Sequence, residues 1–167
     1  MSMSFTDPNL WLEDFALTFD VICPDCSNIA LVKRSESIPY GARFTCNSCG
    51  KSRDWKGTSS IVMRSSIAPK DSVVCYGGSF DAFFHYPLFL SISCCGEDLW
   101  AYNEGHLDFL IGYVEADHRK SNPEFGGNKT LASRLPKWMI SKKNRGRVLR
   151  SLCTLRSNLQ NRVRTSV

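Results

Sequence analysis

Beyond Glu124 the chain contains no aspartate or glutamate. A tail of that kind repels itself unless a partner, or the rest of the chain, neutralises it. Long apolar runs are missing too. Asp81 and His85 interrupt the longest aromatic stretch, and no segment approaches the ~20 apolar residues that span a bilayer. The start, Met1-Ser2-Met3-Ser4, has no basic region followed by an apolar stretch. The expectation is a cytoplasmic protein with no membrane role. No Walker-type loop, dinucleotide fingerprint, H-E-x-x-H or G-x-S-x-G occurs. Glu97 and Asp98 are adjacent in a turn and suit solvation better than acid–base chemistry. The chain is therefore not expected to be an enzyme.

What is present begins with cysteine. Four of the eight stand in two pairs, Cys23-Pro24-Asp25-Cys26 and Cys46-Asn47-Ser48-Cys49, the second followed by Gly50. Each C-x-x-C puts two sulfurs on one tight turn, and two facing turns offer a tetrahedral cage of four thiolates. Two disulfides or free thiols are the competing readings, but a chain without an export signal uses cysteine for metal rather than for crosslinks. The expected cofactor is one structural Zn²⁺ on Cys23, Cys26, Cys46 and Cys49. A closed four-sulfur site leaves no position for a substrate water, so it points to a binding or scaffolding module.

The 167 residues suit one ordinary domain or two small ones, and 43% hydrophobic content with ten Phe, five Tyr and four Trp supports a packed core. Three short antiparallel strands are expected at Asp20–Ile22, Ile29–Lys33 and Ile61–Met63, with Ala42–Thr45 leading into the second cysteine turn, forming a ribbon around the two turns. Residues 5–17 read as a short helix or hairpin arm beside it. After a boundary at Ser65–Ser72, the segments Phe83–Ile92 and Leu99–Tyr102 read as extended. Asn103 reads as the N-cap of a helix running to about Arg119, with Leu107, Leu110, Ile111 and Val114 on its buried stripe. A loop at Ser121–Asn128, a helix near Leu131–Met139 and a final helix complete the pattern. The fold class is α+β: an antiparallel zinc ribbon over residues 1–66, a β-hairpin with a helix over 73–128, and a basic helical region over 129–167.

Charge divides along the same line. Residues 1–128 carry ten Lys/Arg against sixteen Asp/Glu, a net charge of −6, and the remainder carries eleven Lys/Arg, a net charge of +11. In that tail Val148, Leu149, Leu152, Leu155, Leu159 and Val163 recur at helical spacing, while Arg145, Arg147, Arg150, Arg156 and Arg162 mostly fall off the stripe. Three readings stand: the helix contacts nucleic-acid phosphates, docks on an acidic protein surface (this chain's own N-terminal part included), or is a solvated face. The candidate partner-binding residues are Lys137, Trp138, Lys142, Lys143, Arg145, Arg147 and Arg150, with Trp138 an exposed aromatic that would stack on bases or fill a protein pocket. Lys33, Arg34, Arg43, Lys51, Arg53 and Lys56 form a second basic cluster in the ribbon.

A weak internal echo, Cys49-Gly50 before Trp55 and Cys95-Gly96 before Trp100, suggests a degenerate second ribbon. Cys75, Cys94, Cys95 and His106 would be its metal ligands, although adjacent cysteines on an extended chain point apart. Buried thiols are the plainer reading of these cysteines.

The ribbon cysteines resemble the large zinc-ribbon class of transcription and replication proteins. Pro87-Leu88-Phe89-Leu90, Cys94-Cys95-Gly96, Leu99-Trp100-Ala101-Tyr102-Asn103, His106-Leu107, Leu135-Pro136-Lys137-Trp138-Met139 and Lys143-Asn144-Arg145 resemble a family of small bacterial zinc-ribbon proteins of uncharacterised function. That resemblance implies a ribbon followed by a small helical region, and carries no activity. The resulting expectation is a non-enzymatic, zinc-stabilised protein binding nucleic acid through its basic tail. The alternative is an interaction adaptor or accessory subunit of a larger bacterial assembly.

Overall fold

Phe19 and Val21, Ala30 and Val32, Ala42 and Phe44 are buried, and each alternates with more exposed neighbours. That period of two is what a sheet with one covered face requires. The computed structural model describes residues 3–37, 41–55, 74–120 and 130–165, with side chains to 162. Strands β2 (Thr18–Ile22), β3 (Ile29–Arg34), β4 (Ala42–Thr45) and β5 (Ser52–Trp55) form one antiparallel meander in chain order. Val21 pairs with Ala30, Val32 with Phe44 and Ala42 with Trp55, so the apolar positions fall on one face. The segment after residue 74 covers it with Ala82, Phe83, Leu88 and Tyr102.

That covering segment is not the strand its hydrophobicity suggests. The Asp81 carboxylate, fully buried, accepts from the backbone N–H groups of Phe83 (2.9 Å), Phe84 (2.8 Å) and Tyr86 (2.7 Å). Those donors are therefore unavailable to a ladder, and Pro87 has none. Only the isolated bridges Val21–Leu88 and Phe80–Pro87 remain before β6 (Ser91–Cys94), which pairs with β7 (Glu97–Trp100).

A second core lies on this hairpin. Leu107, Leu110 and Val114 of α1 (Glu104–Glu115) pack with Val148, Leu152, Leu155 and Leu159 of α4 (Arg145–Thr165). Asn103 caps α1 as expected, accepting from His106 N–H at 3.0 Å. The helix ends earlier than the sequence pattern indicates. Ala116 turns extended, and β8 (His118–Lys120) pairs in parallel with β1 (Ser4–Thr6). Phe5 of β1 drives that pairing by packing on Phe109 and Tyr113. Leu131–Met139 is likewise two single turns, α2 (Leu131–Arg134) and α3 (Lys137–Ile140). Pro136 lacks a donor and pushes Leu135 extended, which splits the helix. Ile61–Met63, the Ser65–Ser72 boundary and the Ser121–Asn128 loop lie outside the described residues. Among the described residues, no helix is long and apolar enough to cross a membrane.

The two cores are joined at the start of β2. Asp20 N–H donates to Tyr102 O (2.7 Å) and Phe89 N–H to Asp20 O (2.8 Å). The Asn103 amide donates to Phe15 O (2.7 Å) and Thr18 O (2.8 Å) while its oxygen caps α1. Asn103→Ala removes a cap and leaves two carbonyls unpaired, and is expected to cost about 2–3 kcal/mol in urea unfolding. Burial, reinforced by Glu104, pushes the Asp20 carboxyl up to about 6. Because the protonated form is favoured in the fold, its stabilising effect is complete below about pH 4 and lost as pH rises through about 6. Asp20→Asn is expected to raise stability at pH 7.5 by up to about 2–3 kcal/mol and to have little effect at pH 4, measured by thermal melts across pH.

Candidate metal centre

The meander brings both cysteine turns to one end of the sheet, since one joins β2 to β3 and the other joins β4 to β5. The two turns are built alike. Ser27 N–H donates to Cys23 O at 2.9 Å and Cys23 N–H to Asn28 O at 2.8 Å; Gly50 N–H donates to Cys46 O at 2.9 Å and Cys46 N–H to Lys51 O at 2.8 Å. The residue after each pair turns left-handed, with φ of 58° at Ser27 and 72° at Gly50. Gly50 signals that turn in the sequence; Ser27 adopts it without glycine's freedom.

Cys23 Sγ lies 3.8 Å from Cys49 Sγ, and Cys26 Sγ 3.6 Å from Cys46 Sγ. All four sulfurs lie within 4.8 Å of one another. A tetrahedral Zn²⁺ with sulfur ligands at 2.3 Å sets its sulfurs about 3.8 Å apart. A disulfide would bring two of them to about 2.05 Å, and all four thiols are free. The cluster can therefore hold a metal ion such as zinc. Each turn supplies one buried sulfur, Cys23 or Cys46, and one more accessible, Cys26 or Cys49.

The surroundings orient these ligands. The Asn28 amide donates to Cys26 Sγ at 3.6 Å, the kind of contact that fixes a thiolate ligand. Asp25 of the first turn accepts from Lys51 (3.4 Å), which follows the second turn, and from Arg53 (2.8 Å) on β5, clamping the two ends together. Arg53 also donates to Tyr86 Oη at 2.6 Å. The Lys51 backbone amide lowers the Cys49 thiol, but desolvation and the thiols of Cys46, Cys26 and Cys23 outweigh it and push it up to about 12. Thiolates are the metal-binding form of cysteine, so binding a metal here releases protons.

The echo at Cys94-Cys95-Gly96 is a different structure. Cys95 and Gly96, at φ of 59° and 84°, form the two-residue turn of the β6–β7 hairpin, where left-handed residues match the strand twist. Among the described residues Cys23, Cys26, Cys46 and Cys49 are the single group of three or more ligand-type side chains within reach of one ion. Cys94 Sγ lies 3.7 Å from Cys95 Sγ, closer than adjacent cysteines on an extended chain, but among the described residues no third ligand-type side chain joins them, and His106 instead accepts from Tyr102 N–H through Nδ1 at 3.2 Å.

The basic residues divide into two sets. Arg145 pairs with Asp117 at 3.0 Å and holds that carboxyl below its ordinary range; Arg156 pairs with Asp108 of α1. In the sheet, Lys33 meets Glu36, Arg43 meets Asp54, and Lys51 and Arg53 meet Asp25. Lys137, Lys142, Lys143, Arg147 and Arg150 are exposed, and no ion pair found among the described residues uses them. Trp138 is half-buried against the second core rather than free on the surface. Trp11, 45% exposed, is the more accessible indole; nothing in its sequence setting separates the two, because packing across α3 decides it.

Cys23→Ser or Cys49→Ser is expected to remove bound metal and unfold the β2–β5 sheet, read by metal analysis and circular dichroism. Zinc content near one ion per wild-type chain, falling steeply below neutral pH as the thiols reprotonate, is the matching expectation. A wild-type chain that stays folded with no metal would contradict it. No protein-family model, curated protein or solved structure matches this chain, so the likeness to zinc-ribbon proteins rests on the four-cysteine cluster.

Proposed function

We propose that this is a zinc-stabilised, non-enzymatic binding protein that recognises nucleic acid through the basic surface at the start of α4. Zinc on Cys23, Cys26, Cys46 and Cys49 makes the four-stranded sheet a ribbon and supplies much of its folding free energy. The metal is scaffolding, since four sulfurs leave it no open position.

The carrying observation is the division of cations. The fold pairs Arg145, Arg156, Arg43, Lys51 and Arg53 with its own carboxylates, while Lys137, Lys142, Lys143, Arg147 and Arg150 are exposed and make no ion pair found among the described residues. Lys143 lies in the turn before α4, and Arg147 and Arg150 follow at helical spacing, so the three form one row. No acidic residue stands in the first turn of α4. The positive end of that 21-residue helix therefore adds to the row's attraction for phosphate. A cytoplasmic setting, with reduced thiols, fits such a ligand set.

The second reading is an adaptor within a bacterial assembly, docking this row on an acidic protein. It is favoured by α4 already holding carboxylates, Asp108 and Asp117, through two of its arginines.

Fluorescence-anisotropy titration against single- and double-stranded DNA and RNA is the test. Binding is expected to weaken steeply with salt. Reversing Lys143, Arg147 and Arg150 to Glu is expected to reduce affinity at least about tenfold and to flatten the salt slope by about 2–3, with zinc content unchanged. Absence of binding at low salt, with a stoichiometric protein partner co-purifying, would replace the first reading with the second.

A further inference from the structure

A cleft of about 560 Å³ opens between the β6–β7 hairpin, the start of α1 and the broken α2–α3 segment. It is separate from the cysteine cluster. Its apolar floor comes from Leu110, Leu131, Leu135 and Met139, and two half-buried indoles, Trp100 and Trp138, line it. Indoles on an apolar floor suit a flat, aromatic guest.

His106 gives the cleft a fixed donor. Its ring is 2% exposed, stacked on Phe15 at 5.0 Å and edge-on to Trp100 at 5.7 Å. Burial drives its pKa down to about 4, so it is neutral at pH 7. Nδ1 accepts from Tyr102 N–H, which places the proton on Nε2. The hydrogen bond of the ring runs through Nδ1, and His106 lines the cleft. An acceptor on a guest seated against this ring would pair with Nε2–H.

The rim supplies the opposite polarity. Glu13, Glu97 and Asp98 are exposed carboxylates on the cleft, and they accept but do not donate. Among the described residues Arg134 is the single cation lining it, and Lys137 is exposed on the adjoining turn of α3. A guest that fits all three features is planar, has an acceptor on its inner edge and amino donors on its outer edge, and leaves toward positive charge. A cationic side chain would satisfy the rim but present no acceptor to His106. A nucleobase has both kinds of edge and a face for each indole.

We infer that this cleft receives one unpaired nucleobase of a single strand, with Trp100 and Trp138 stacking, His106 Nε2–H donating to the base, and Arg134 and Lys137 taking the flanking phosphates. This rests on the nucleic-acid reading above and narrows it to strands with an accessible base.

The test compares a single-stranded 12-mer with an abasic strand of equal length and charge, both titrated into the zinc-loaded full chain. The base-containing strand is expected to bind at least about tenfold tighter, and to shift the His106 ¹⁵N resonances where the abasic strand does not. Trp138→Ala is expected to erase that preference while leaving the salt dependence. The His106 resonances need no variant and decide the matter if Trp138→Ala fails to fold. Equal binding of both strands would overturn the cleft proposal and leave the basic-surface reading standing. Binding of neither strand, but of adenosine or cytidine alone at the cleft, would overturn the strand as source and the nucleic-acid reading with it. No binding of any of them would overturn both.

Discussion

Residues 101–103 are the seam on which the structure depends. Tyr102 belongs to the sheet's core by its ring, which meets Phe19 at 4.6 Å, and to the junction by its backbone carbonyl, which accepts from Asp20. Its N–H sets the tautomer of His106, and the next residue, Asn103, caps α1 while tying down Phe15 and Thr18. The two cores share these hydrogen bonds. Unpaired buried backbone groups are costly, so the seam fixes how the sheet, α1 and the cleft stand relative to one another.

The second constraint is electrostatic. An acidic first part and a basic tail would seem free to neutralise each other wholesale, yet they do so at few points. Arg145 and Arg156 reach Asp117 and Asp108 because α4 lies along α1, and Arg43, Lys51 and Arg53 pair locally with Asp54 and Asp25. Exposed pairs like these contribute little to stability, typically under about 1 kcal/mol. Their greater consequence is to separate the cations paired with this chain's own carboxylates from those with no ion pair among the described residues.

Much of the fold was legible. The alternation at Phe19, Val21, Ala30, Val32, Ala42 and Phe44 marked the sheet, the C-x-x-C spacing marked the cysteine turns, and Asn103 with Leu107, Leu110 and Val114 marked α1. The errors lie where one residue redirected the backbone. Asp81 withdrew three donors from an apparent strand, Pro136 split an apparent helix, and Phe5 recruited His118–Lys120 into a parallel pair from more than a hundred residues away. The expected third ribbon strand falls outside the described residues, while β5, which leaves the second cysteine turn, went unremarked although Trp55 lies on it. The Cys94-Cys95-Gly96 echo misled because a two-residue hairpin and a metal knuckle both need left-handed residues, and a local pattern cannot say which is formed.

By itself the sequence determined the local chemistry: four thiols paired on two tight turns, an acid-free basic helix, and the cap that starts α1. These depend on residues within a few positions of each other, where spacing and propensity act directly. Tertiary structure decided what was close to what. It brought the two cysteine turns to one end of a sheet, set Arg145 and Arg156 against α1, turned Trp138 inward, and gathered Trp100, His106 and Trp138 around one cleft. Such proximities arise when apolar faces from distant segments must share a core, and no local pattern encodes which segment will cover which face.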